Sequence, residues 1–218
     1  MIHTFPANDP YLASQFDRYG VVHIPGFIDK FDALELRQHL YDSFNPALDG
    51  TGVVAPGSRA QVWRDVPDGP LPRRLRMFYE PPMRWVFQQL VGLRNYLMGE
   101  IDPDAPNSGW WTAARFNHYP RGGGFMAPHE DLPFLPGFPF RRYAQPILFL
   151  SHKGSHYREG GGTVNGEDVD AMCEPGDVVV YGGMMRHSVE PVDPHVRPTP
   201  GSLDGRLVAM VTLYKERV

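Results

Sequence analysis

His129, Glu130 and Asp131 close the segment NHYPRGGGFMAPHED, residues 117–131. In an extended chain alternate side chains leave the same face, so His129 and Asp131 can reach one cation while Glu130 points the other way. Two ligands do not hold a metal firmly, so a third donor must come from a distant part of the chain. His187 is the best candidate, because it opens the strand-like run HSVEPV just after the turn and strand EPGDVVVY.

The elements that must position these residues are partly legible. Gly20 to Ile28, GVVHIPGFI, reads as a short β-branched strand ended by Pro-Gly, and Asp29 can cap a helix from Lys30 to Phe44. Pro82 to Gly99 reads as a second helix, with Val86, Leu90, Leu93 and Leu97 at one-face spacing and Gly99 as its C-cap. Residues 45–79 carry too many turn formers for a long regular element, and a loop of that length is expected to be disordered or to serve as a lid or a substrate clamp. After Ile101 strands dominate: Trp110 to Tyr119, Gln145 to Ser151, Asp177 to Tyr181, His187 to Val192 and Arg206 to Tyr214, separated by glycine- and proline-rich turns. Two helical segments followed by many strands predict a mainly β protein, a jelly roll with supporting N-terminal helices. A single domain over 1–218 is expected, with 1–100 buttressing a core over 101–218.

Composition narrows the chemistry. A net charge of −4 leaves no basic stripe for nucleic acid. One cysteine, Cys173, excludes an internal disulfide framework and a cysteine-rich zinc site. No apolar run approaches membrane-spanning length and the start is not signal-like, so a cytoplasmic protein with no membrane partner is expected.

Two imidazoles and one carboxylate on one face of an octahedron leave three positions open, the donor set of non-haem Fe(II) oxygenases, whereas a closed zinc site takes four ligands, often including cysteine. The wider order agrees. Tyr119-Pro120, Gly124, His129-Glu130-Asp131, EGGGT at 159–163, Pro175-Gly176-Asp177, HSVEPV from His187 and Gly205-Arg206 together resemble the 2-oxoglutarate/Fe(II)-dependent oxygenases, notably their prolyl-hydroxylase-like branch. RYGVVHIPGFID, at 18–29, is similar to the opening of phytanoyl-CoA hydroxylase-like members.

The resemblance implies a double-stranded β-helix with Fe(II) held by His129, Asp131 and His187, and 2-oxoglutarate and O2 as cosubstrates. It also implies that Arg206 receives the distal carboxylate of 2-oxoglutarate, a role that suits a planar, permanently charged fork. In the family this arginine commonly lies about ten residues after the second histidine, where Arg197 stands. Arg197 sits in VRPTP, however, and proline opposes a central strand, while Arg206 opens the alternating run RLVAMVTLY. Arg206 is therefore preferred. Tyr119 stands at a cosubstrate-contacting position of the family. Asn117 and Arg115 share its face by parity, and Thr212 shares parity with Arg206. Phe149 stands where many prolyl-hydroxylase-like members carry a second cosubstrate tyrosine. Asp131 is retained, which favours hydroxylation over halogenation.

The function expected is hydroxylation of an unactivated C–H bond in a small molecule. An amino acid or another carboxylate-bearing metabolite is the candidate, with Arg115, Arg141 and Arg142 as substrate-binding residues. The alternatives are a peptidyl or protein hydroxylase and a non-catalytic jelly-roll binding protein. His118 is expected to pack or face solvent, His152 and His156 to lie in a loop, Trp110 and Trp111 to fill the core, and Cys173 to act as a small apolar filler.

Overall fold

A computed structural model describes residues 1–42, 60–66, 73–78, 81–99, 110–131, 143–197, 199 and 202–215. Twelve strands and three helices occur among them: β1 (His3–Thr4), α1 (Leu12–Tyr19), β2 (Val21–Ile24), α2 (Lys30–Asp42), β3 (Ala60–Val66), β4 (Arg73–Phe78), α3 (Arg84–Leu97), β5 (Trp110–Pro120), β6 (Gly124–His129), β7 (Ala144–Phe149), β8 (Gly161–Val164), β9 (Glu167–Asp168), β10 (Val178–Gly182), β11 (His187–Val192) and β12 (Gly205–Lys215). A 3-10 turn, Asp170–Met172, follows β9.

The strands form two sheets. The larger has the order β1-β2-β10-β7-β12-β5-β4-β3, and the smaller β6-β11-β8-β9. Every pairing is antiparallel except β1 with β2. The central strands β7 and β10 of the larger sheet are buried on both faces, which explains why β10 reads as an unbroken apolar run, VVVY. Val178 and Val180 join the core beneath the helices with Leu36, Leu40, Leu90 and Leu97, while Val179 and Tyr181 belong to a second cluster with Ile147, Phe149, Val208 and Met210. On β12, Leu207, Ala209 and Val211 take the helix side. Period-two alternation thus divides each central strand between two cores.

The helices are short and locally stopped. Asp29 accepts the Phe31 amide at 2.7 Å, capping α2. Gly99, at φ +66°, ends α3 in the left-handed conformation that glycine adopts without a Cβ penalty. Gly20, at φ +70°, ends α1 in the same way.

Two expectations need correction. α1 adds a third helix ahead of the two expected. Within 45–79, β3 and β4 extend the larger sheet, β4 pairing with β5, so pairing to an existing strand edge overrides the turn-forming composition there. The remaining residues of that stretch lie outside the described residues. Among the described residues no helix is long and apolar enough to cross a membrane.

Candidate metal and cosubstrate site

β6 and β11 run antiparallel with His129 and His187 as register partners. Residues so opposed project from the same face of the sheet, and the two imidazole centroids lie 4.2 Å apart. Asp131 lies two residues past the end of β6, its Oδ1 3.7 Å from His129 Nε2 and 3.8 Å from His187 Nε2. A cation held at about 2.1 Å by three such donors needs them roughly 3.0–3.6 Å apart, and the three donor atoms here all lie within 4.8 Å of one another.

The histidines are presented in the form a metal requires. His129 Nδ1 bonds the Ala127 carbonyl at 2.9 Å and His187 Nδ1 the Met185 carbonyl at 3.0 Å. An Nδ1–H fixed on a backbone oxygen leaves the Nε2 lone pair turned to Asp131. Burial lowers the His187 pKa, outweighing the upward pull of Asp131, which favours the neutral, ligating imidazole. Two imidazoles that present Nε2 and a carboxylate between them fit a divalent ion with open positions.

Across from these residues the inner face of the larger sheet completes a cavity of about 180 Å³. The β12–β5 register sets Arg206 opposite Tyr119, Val208 opposite Asn117 and Met210 opposite Arg115. Arg206, Tyr119, Asn117, Met210 and Arg115 line the cavity, with Phe149, Ile147 and Gln145 of β7 and Val179 and Tyr181 of β10, while Val208 is buried in the apolar cluster behind it. Arg206 is buried, its guanidinium carbon 5.5 Å from the centroid of the Tyr119 ring and 5.3 Å from that of Phe149. Its Nε donates to Asp170 Oδ2 at 2.7 Å. Burial acts to lower the Arg206 pKa, but the Asp170 charge and hydrogen bond outweigh it, so the guanidinium stays charged.

His129, Asp131, His187, Arg206, Tyr119, Asn117 and Arg115 are thus brought to one cavity. Arg197 is exposed and does not line it. Arg141 and Arg142 lie outside the described residues, and so do the side chains of Thr212, Trp110 and Trp111. His118 faces away from the cavity, fully buried, with Nε2 bonded to the Asp204 carbonyl at 3.0 Å. His152 and His156 share a loop in which the His152 amide donates to His156 Nδ1 at 2.9 Å.

Sequence reasoning missed Gln145, Tyr181, Asp170 and Tyr157. Parity from Phe149 along β7 points to Gln145, whereas nothing local marks Asp170. The Tyr181 ring packs at a tilt against His187 with centroids 4.4 Å apart, and burial, then the Asp131 charge, hold its phenol well above the ordinary range. A second trio, His23, Cys173 and Asp177, also brings three donor atoms within 4.8 Å of one another. There Asp177 already accepts from the Gly26 amide at 2.8 Å, the Glu174 amide at 2.9 Å and His23 Nε2 at 3.2 Å. Burial holds the Cys173 thiol protonated, so this trio is a structural tie.

No protein-family model matches the chain, and no curated protein matches its sequence. Solved structures match it throughout. An oxidoreductase of the 2OG-Fe(II) oxygenase family from Burkholderia pseudomallei superposes with a TM-score of 0.57 at 16% identity, covering 97% of this chain and 94% of its own. The fold is that of the 2-oxoglutarate/Fe(II) oxygenases. A Pseudomonas putida prolyl-4-hydroxylase gives a TM-score of 0.55 at 16% identity, covering 94% and 97% of the two chains. The α-ketoglutarate-dependent epimerase SnoN of nogalamycin biosynthesis gives 0.54 at 16% identity, covering 94% and 81%.

Proposed function

We propose that this chain is a 2-oxoglutarate- and Fe(II)-dependent oxygenase, built as one jelly-roll domain, that hydroxylates an unactivated C–H bond of a small molecule. The observation that carries this reading is the pairing of His129 with His187 across β6 and β11, with Asp131 beside both, facing a cavity that contains a buried arginine. The likeness of fold to 2-oxoglutarate/Fe(II) oxygenases supports it independently.

His129, Asp131 and His187 would hold the metal, the histidines through Nε2. When bound, Fe(II) with 2-oxoglutarate and O2 supplies an oxidant, yielding succinate and CO2, that removes a substrate hydrogen and returns hydroxyl. The protein's part is binding and orientation. Arg206 receives the distal carboxylate of the cosubstrate, and the Tyr119 and Phe149 rings hold the guanidinium in plane for a two-bond contact. Val179, Ile147 and Met210 form an apolar wall that excludes water from the reacting bond. Arg115, whose Nε donates to Asn117 Oδ1 at 3.1 Å, supplies a fixed positive charge to a carboxylate-bearing substrate. A peptidyl substrate is the competing reading, favoured by the likeness to a prolyl-4-hydroxylase.

Protein loaded anaerobically with Fe(II) and 2-oxoglutarate and then exposed to O2 is expected to release succinate. His129→Ala and Asp131→Ala are expected to lower iron binding at least tenfold and succinate release at least a hundredfold. Wild-type rates in both variants would remove the triad from the mechanism.

A further inference from the structure

The Arg206 fork has two usable edges, and the cosubstrate reading occupies only one. The other belongs to Asp170. This carboxylate is 2% exposed, and its Oδ2 collects three donors: Arg206 Nε at 2.7 Å, the Gly162 amide at 2.8 Å and the Tyr157 hydroxyl. Oδ1 is buried and has no hydrogen-bond partner among the described residues. A charge taken out of water this completely is costly unless its partners are fixed.

The elements around the pair are arranged to fix it. Asp170 starts the 3-10 turn after β9, where its amide and that of Ala171 are held by Asp168 Oδ1 at 3.0 and 3.1 Å. Lys153 holds the other oxygen of Asp168 at 2.6 Å. Gly162 leaves the space the pair uses, since a Cβ there would lie 2.6 Å from Arg206 Nη2 and 2.8 Å from Asp170 Oδ1.

We propose that Asp170 is the positioning residue for cosubstrate capture: it anchors Arg206 by Nε, with Tyr157 and the Gly162 amide fixing the anchor, so that the Nη edge faces the cavity. The inference rests on the 2-oxoglutarate reading of the site. Its physical content is orientational. An arginine held at Nε and between two rings meets a carboxylate with little further loss of rotamer freedom, so less binding energy goes into ordering the fork.

Charge alone predicts the opposite sign. Asp170 repels an incoming carboxylate, so if it were merely a resident counterion, its removal would leave binding unchanged or tighten it. The test is calorimetric titration of the Mn(II)-loaded full chain, without turnover. The ligands are 2-oxoglutarate and 2-oxobutyrate, a 2-oxo acid lacking the distal carboxylate. Asp170→Ala is expected to weaken 2-oxoglutarate at least tenfold and Asp170→Asn about threefold, because the amide oxygen still accepts from Nε. Both are expected to leave 2-oxobutyrate unchanged. In an Arg206→Gln background, Asp170→Asn is expected to have no further effect on 2-oxoglutarate.

Should Asp170→Ala not fold, the Asn variant carries the comparison. An unchanged or tighter 2-oxoglutarate Kd in the Asn variant, or equal weakening of both ligands, overturns the positioning role. Wild-type protein that binds neither ligand overturns the cosubstrate reading itself, and the inference with it.

Discussion

Asp177→Asn is the sharpest probe of how the frame around the cavity is held. Asp177 ends the turn Glu174–Asp177 and precedes β10, and its carboxylate takes the Gly26 amide on Oδ1 and the Glu174 amide and His23 on Oδ2. One side chain thereby ties the end of β2 to the start of β10. Asparagine keeps the shape but has one accepting oxygen, so its NH2 meets a backbone N–H at 2.8 or 2.9 Å as donor against donor. One buried N–H loses its partner, at about 1–3 kcal/mol, and the remaining bonds lose their charge assistance. The expected destabilisation is about 3 kcal/mol, a fall in Tm of roughly 6–12 °C for a chain of this length.

The pH dependence carries its own sign. Burial acts to raise the Asp177 pKa, but the hydrogen bonds from His23 and the Glu174 and Gly26 amides outweigh it, and the net shift is downward. A carboxylate depressed on folding adds stability above its unfolded pKa of about 3.9, and that stability is lost as pH falls through the folded value. Urea unfolding of wild type and variant from pH 7 to pH 3 is expected to give a difference that is constant down to about pH 5 and then shrinks. A difference below 1 kcal/mol at pH 7, or one that grows on acidification, would refute the reasoning.

Two further outcomes are expected. Gly162→Ala places a methyl 2.6 Å from Arg206 Nη2 and 2.8 Å from Asp170 Oδ1; overpacking of this kind costs about 1–3 kcal/mol, so a thermal melt should fall by several degrees and 2-oxoglutarate affinity with it. Arg206→Gln is expected to raise the KM for 2-oxoglutarate at least tenfold while Arg197→Gln leaves it unchanged, and steady-state kinetics showing the reverse would reassign the arginine.

Much of the frame follows from local sequence, and the reason is visible in particular elements. HSVEPV, between the turn at Gly182 to Arg186 and Asp193, forms β11 over the span its composition suggests, and the 86, 90, 93, 97 stripe buries as one face of α3. Strand parity correctly puts Arg115, Asn117 and Tyr119 on one side of β5 and His118 on the other. What stays hidden is non-local. The register that sets His129 against His187 is chosen by tertiary pairing. β3 and β4 form because β5 offers an edge, against a composition rich in turn formers. α1, LASQFDRY, is too short for its two buried residues, Leu12 and Phe16, to stand out as a stripe. Asp170 acquires its importance only from where Arg206, Tyr157 and Gly162 meet it.

The division of β10 and β12 between two apolar clusters has an evolutionary consequence. Val178, Val180, Leu207 and Ala209 secure the sheet to its helices, while their immediate neighbours Val179, Tyr181 and Met210 shape the cavity. Selection can therefore exchange one set of side chains for new ligands while the adjacent set preserves foldability. Two traits are written in alternate letters of the same strands, free to drift at different speeds.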